Sequence, residues 1–359
     1  LTRLWLAKPV ATFVWLCITT STLLIVFSTV CVRIFARNGG TETTLRRLVG
    51  LAPSGALERE PRPVGRNAVA WRESHRGEGG WSGIAARWGF VAVAILATIM
   101  MLWLHASGSM TLASLRESIG FLILGEICLV TLVAINVSAT AVSKEREDGS
   151  LDIILTTPIQ PGPYLAGKHR GVVRFLLPMM CVPIASLVLV MLYTFMQGFG
   201  APVNTTMTLT NGAVVDIPLI QWQAVTAFAL VFVPFTAFCV MIGLMWSIRS
   251  RGSIGSVITG IMIIGGLIVT LSLCSIPLMN SSGIFAPMAA TISPVNIILT
   301  GLTPNEWLPN ALGERGISFI WLLVGGTLVA GCYATGAILL HRQMTRTFMM
   351  TVRQLAGTN

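Results

Sequence analysis

Seven stretches of this chain, at about 10–32, 88–106, 119–142, 175–197, 222–247, 254–279 and 316–340, are almost unbroken runs of apolar residues. Each comes close to the about 20 residues that a helix needs to cross the hydrocarbon of a bilayer. Inside lipid the backbone finds no water, so runs of this length admit helices and little else. Composition agrees, with 54% hydrophobic and 11% charged residues and a mean hydropathy of +0.78. A soluble domain carries about 25% charged residues. The expected fold class is an all-α polytopic membrane protein.

The net charge of +10 invites a nucleic-acid reading, but its distribution argues for membrane orientation. Of the 24 Lys and Arg residues, 20 lie in segments 33–87, 143–174, 248–253 and 341–359. The alternate segments 1–9, 107–118, 198–221 and 280–315 hold the other four. Such an asymmetry is the positive-inside signal. It predicts that the last six helices begin and end in the cytoplasm, with the C-terminus there, and that the first run enters from outside. No nucleic-acid partner is expected. All seven cysteines fall singly inside the apolar runs, without a C-x-x-C pair, as small apolar residues rather than redox or metal groups.

The first helix stands apart. Residues 1–35 are expected to form a lone transmembrane helix, followed by an Arg/Gly/Pro-rich cytoplasmic linker over 36–66. Its approach "LTRLWLAKPVATFVWL" is similar to "LTPNEWLPNALGERGISFIWL" before the last helix. Leu1-Thr2 matches Leu302-Thr303, Trp5-Leu6 matches Trp307-Leu308, and Phe13 matches Phe319. Two readings stand: chance likeness between apolar helices, or an internal duplication in which 1–35 is the tail of a preceding copy. Residues 67–359 then hold six helices. They open with an amphipathic elbow at 67–87, where Arg72, Arg76 and Arg87 mix with Trp71 and Trp81. On the outer side, "NTTMTLTNGAVVDI" predicts a small extracytoplasmic β-hairpin turning at Asn211-Gly212. "SPVNIILTGL" predicts a short helix dipping in from the same face.

"PGPYLAGKH" contains most of a phosphate-binding P-loop: Gly162, four residues, Gly167 and Lys168. The chemistry is wrong. His169 replaces the Mg²⁺-binding hydroxyl, Pro163 removes a cradle N–H, and no buried strand precedes it. The stretch belongs instead to "SKEREDGSLDIILTTPIQPGPYLAGKHRG", Ser143 to Gly171. There a charge cluster closes at Gly149. A short amphipathic helix from Ser150 to about Thr156 carries Leu151, Ile154 and Leu155 on one side, and Pro158 ends it. The plain alternative is a solvated loop.

This segment resembles the permease subunits of type-2 ATP-binding-cassette (ABC) transporters. That family carries, between its second and third helices, a motif like E-x-E-x-G-T-L-x-x-L-L-x-T-P-L followed by L-x-G-K. The matching residues here are Glu145, Glu147, Gly149, Leu151, Ile154, Leu155, Thr157, Pro158, Leu165, Gly167 and Lys168, with Ser150 in place of Thr. The resemblance implies a six-helix permease with a cytoplasmic coupling helix that docks on a separate ATPase subunit. It also implies a second permease half or a homodimer, export as the direction, and the bacterial inner membrane as the location. ATP and Mg²⁺ would be bound by the partner, no cofactor by this chain, and no bond chemistry done here. Glu145 and Glu147 would pair with basic residues of the ATPase, and Leu151, Ile154 and Leu155 would bury against it.

Glu126 is the one carboxylate well inside a span. It is either functional or a hydrogen-bonded structural acid. Gly252, Ser256 and Gly260 form a small-residue stripe for close helix contact. The rival classes are an ion-gradient-driven secondary transporter, which would want inverted repeats and several midplane ionisable groups, and a non-transporting scaffold. Spans carrying Met, Thr and Cys but no charged lining lean towards a lipid-like, hydrophobic or polymeric cargo.

Overall fold

The computed structural model describes residues 18, 21–22, 69, 81–151, 160–208, 214–250, 252–281, 283–308 and 320–355. Residues 1–63 and 64–359 form separate units. In the first, Ile18, Ser21 and Thr22 are helical, and Thr22 Oγ1 donates to the Ile18 carbonyl at 2.8 Å. The remainder of the lone helix, the linker and most of the elbow lie outside the described residues.

Among the described residues of the second unit, six helices are long and apolar enough to cross a membrane. They are α1 (Trp81–Ala106), α2 (Leu112–Glu147), α3 (Pro161–Phe195), α4 (Trp222–Arg249), α5 (Ser253–Met279) and, after three short helices, α9 (Ile320–Leu355). Each of the six spans expected after residue 67 falls inside one of them to within two residues, apart from 316–319, which are not described. The short helices are α6 (Phe285–Ala290), α7 (Pro294–Leu302) and α8 (Pro304–Trp307). One expectation is corrected. The elbow was placed at 67–87, but 81–87 belong to α1, continuous with the span.

The long helices overrun the apolar runs because polar residues extend them. Thr111 caps α2 by accepting from the Ser114 N–H, and Pro161 opens α3 at a position where no N–H is needed. At the far end of α2, Gly149 at φ +69° stops the helix. Strands β1 (Asn204–Thr208) and β2 (Val214–Pro218) pair antiparallel, so the hairpin is present. Its register pairs Thr208 with Val214, whereas a two-residue Asn211-Gly212 loop would pair Thr208 with Val215. The connection is therefore longer than expected, and its residues 209–213 lie outside the described set.

Helix α4 is apolar on every face and sits at the centre, with Phe228, Phe232, Phe235 and Cys239 fully buried. Tyr333 of α9 packs edge-on against Phe235, and its hydroxyl donates to the Ile292 carbonyl at 2.8 Å. The short helix α7 wedges into the bundle where α2 and α4 begin. Gly301 meets Ala224 there, and the Asn296 amide donates to the Ser272 carbonyl of α5 at 3.1 Å.

Helices in lipid gain nothing from excluding water, so close packing and interhelical hydrogen bonds must hold them. The tightest seam joins α2 to α4 and α5. A Cβ at Gly243 would fall 1.9 Å from Ser138 Oγ, and one at Gly260 2.9 Å from Ile135 Cγ2. Ser256 Oγ donates to the Ala139 carbonyl at 2.8 Å, and the Val142 and Ser143 N–H groups donate to Ser247 Oγ. The small-residue stripe at Gly252, Ser256 and Gly260 thus faces α2. Gly243→Val is expected to force this seam apart and destabilise the protein by about 1–3 kcal/mol, the usual cost of overpacking. Thermal unfolding of detergent-purified protein checks this. Gly265→Ala, whose added methyl meets nothing within 4 Å, should unfold like the parent.

Candidate functional site

The last turn of α2 reads Lys144-Glu145-Arg146-Glu147, and successive side chains on a helix point about 100° apart. Three of them reach three different helices. Glu145 Oε1 forms an ion pair with Lys168 Nζ of α3 at 2.8 Å, with the side chains 2% and 0% exposed. The Tyr164 hydroxyl donates to Glu145 Oε2 at 2.6 Å, and Lys168 Nζ also donates to the Ala141 carbonyl at 2.9 Å. Tyr164 in turn lies against Phe348 of α9, ring centroids 5.7 Å apart.

Arg146 turns to the end of α4. Its guanidinium donates to the carbonyls of Ser247, Ile248 and Ser250, groups left without intrahelical partners where the helix stops. Glu147 turns to the start of α5, accepting from the Ser253 N–H at 2.7 Å and the Ser253 hydroxyl at 3.1 Å. A carboxylate there suits both the orphan N–H groups and the positive end of the helix dipole. The break between α4 and α5 is thus closed on both sides by two consecutive residues of α2.

From this anchored turn the chain leaves through Gly149. The Asp148 N–H donates to the Lys144 carbonyl and the Gly149 N–H to the Arg146 carbonyl, and the left-handed φ redirects the backbone. Ser150 Oγ donates back to the Glu145 carbonyl at 3.1 Å. Leu151, 1% exposed, is buried in the chain's own core. Ile154, Leu155 and Pro158 lie outside the described residues. Lys144, Glu147, Asp148 and Gly149 remain exposed on the surface of this end.

Two expectations change in detail. Glu145 was expected to reach a partner's basic residue, but its carboxylate is enclosed and bonded to Lys168 and Tyr164. Leu151 was expected on an outward apolar side, but it is covered within this chain. The Gly-x₄-Gly-Lys stretch is the opening of α3, fully helical, with its lysine held by Glu145. Arg146, Tyr164, Ser247 and Ser253 were missed as site residues. The available signal was Lys168 itself, since a lysine facing a helical core requires an anion nearby.

Glu126 lies elsewhere. It is 3% exposed in the middle of α2, 19 residues or about 28 Å along the helix from Glu145. Ser186 Oγ of α3 donates to Glu126 Oε1 at 3.0 Å, and Thr98 Oγ1 of α1 donates to Ser186 Oγ at 3.2 Å. Among the described residues its second oxygen has no hydrogen-bond partner.

The fold and this polar end define a multi-pass helical membrane protein. Compared with protein-family models and with curated proteins, the chain matches none.

Removing one member of a buried pair strands the other, at a cost of about 3–5 kcal/mol. Lys168→Met and Glu145→Leu should each lower thermal stability to that extent. The double variant should recover most of the loss, because apolar replacement of both partners is often close to neutral. A double-mutant cycle on unfolding temperature measures this, and additive losses would show that the pair is not coupled.

Proposed function

We propose that this chain is the transmembrane permease subunit of an ABC-type exporter. It moves a lipid-like or otherwise hydrophobic cargo with energy from ATP hydrolysed by a separate subunit. The observation that carries the reading is the convergence of the motif residues of 143–168 on one anchored turn. A surface meant to receive a push must not yield locally, and Glu145, Arg146 and Glu147 fix the end of α2 to α3, α4 and α5. Gly149, in the left-handed region, ends the helix at that base. The ATPase contact is assigned to the exposed Glu147 and Asp148 and to the apolar Ile154 and Leu155 of the sequence motif. Glu145 and Lys168 support it from beneath.

The ion-driven reading draws on one observation, the buried chain Thr98–Ser186–Glu126, which joins three helices inside the bundle. The two readings separate in one reconstitution. Proteoliposomes holding the chain with its cognate ATPase should transport only with ATP, and Leu155→Asp should lower ATPase co-purification by about tenfold, as expected when a charge replaces a buried apolar anchor. Glu126→Gln should leave ATP dependence intact. Transport driven by an imposed ion gradient without ATP, and abolished by Glu126→Gln, would favour the rival. ATP hydrolysis by the purified chain alone would count against both.

A further inference from the structure

Helices α3, α4 and α9 contain no Asp or Glu anywhere in their length. At the polar end of the bundle, α3 carries Arg170 and Arg174 and α9 carries Arg342 and Arg346, all exposed. Within each pair the residues are one turn apart, so they stack on one face of their helix. The two helices adjoin here. A Cβ on Gly162 would lie 3.8 Å from Thr345 Cγ2, Tyr164 packs on Phe348, and Arg170 is within electrostatic reach of His341.

Helical phase puts the arginines beside that seam. Arg170 stands about 80° around α3 from Gly162, and Arg342 about 60° around α9 from Thr345. Arg342 lies about half a turn around α9 from Tyr333, which packs on the phenylalanines of α4, and Arg170 about a quarter turn around α3 from His169, which bonds the Ala237 carbonyl of α4. Lys168, the neighbouring cation on α3, is already neutralised by Glu145. Among the described residues none of the four arginines has a carboxylate partner.

Depth selects the anion. Arg174 and Arg342 flank the points where the apolar runs 175–197 and 316–340 meet the surface, the level of lipid headgroups. One turn deeper on the same helices, Leu177 and Ile338 are more than half exposed, at 54% and 53%. Guanidinium groups above an exposed apolar strip match a phosphate joined to an acyl chain. We propose that the α3–α9 seam binds an anionic phospholipid. Arg170 and Arg342 hold its phosphate, Arg174 and Arg346 complete the basic rim, and an acyl chain lies along Leu177 and Ile338. The proposal requires only that these helices cross a membrane and is independent of the transport reading.

The test is native mass spectrometry of the full chain released from nanodiscs of equal phosphatidylglycerol and phosphatidylcholine. The parent should retain phosphatidylglycerol in preference to phosphatidylcholine. Arg170→Gln with Arg342→Gln should cut that retention roughly tenfold, since each basic side chain near the surface adds to anionic-lipid attraction. Arg170→Lys with Arg342→Lys should keep part of it. Lys144→Gln with Arg249→Gln, which removes the same charge at the same end from α2 and α4 rather than from α3 and α9, should keep most of it. Equal retention of the two lipids by the parent overturns the proposal even if the variants do not fold. So does equal loss in the control pair. Loss of a co-expressed ATPase subunit with lipid retention unchanged would assign the cluster to a protein partner and likewise overturn it.

Discussion

A lysine turned into the core of a helical bundle cannot be buried alone, and the architecture of the polar end follows from how Lys168 is satisfied. Its ammonium needs a carboxylate and an acceptor, and Glu145 and the Ala141 carbonyl supply both from α2. That contact fixes the rotation of α2 at its last turn. Once Glu145 points at α3, the 100° step per residue aims Arg146 and Glu147 at the end of α4 and the start of α5. Their charges then close helix termini that would otherwise carry orphan carbonyls and N–H groups. One buried pair thus sets the geometry of four helix ends, and Gly149 leaves from a fixed base.

The same helix connects the two ends of the six-helix bundle. Helix α2 runs 36 residues without an internal proline, about 54 Å, whereas α3, α4 and α5 each contain one or two. A rod of this kind transmits displacement as a rigid body, while helices with missing backbone hydrogen bonds supply the places to bend. Glu126 lies along that rod and is bonded through Ser186 to α3 and on to Thr98 of α1. At the opposite end α7 is wedged against Gly120 and Ala224, and hydrogen bonds add to the packing: the Asn296 amide donates to the Ser272 carbonyl at 3.1 Å and the buried Arg116 guanidinium of α2 to the Pro218 carbonyl at 3.3 Å.

The six spans were legible because run length against bilayer thickness is a strong and local constraint. Gly149 was legible for a similar reason: a glycine between a charged helix end and a new apolar pattern marks a left-handed stop, and it has φ +69°. Helix ends were less legible, since Trp81–Arg87 and Ser143–Glu147 are polar enough to read as interface or loop yet continue the helices. The hairpin was visible in its alternating Thr and aliphatic residues, but its register was not, because the Asn-Gly signal names a turn without fixing the pairing. The partner of Glu145 was hidden by 23 residues of sequence, and Leu151 read as outward because amphipathicity does not say which surface covers the apolar side.

The central claim is that the turn at 145–149 is the base of a surface contacted by an ATPase subunit. The most direct measurement is photo-crosslinking from a benzoylphenylalanine placed at exposed Asp148, in membranes co-expressing the cognate ATPase, with the same probe at exposed Asp216 in the hairpin as reference. The account predicts a crosslink to the ATPase from position 148 and none from position 216. A complex that forms but crosslinks only from 216, or equally from both, would contradict it.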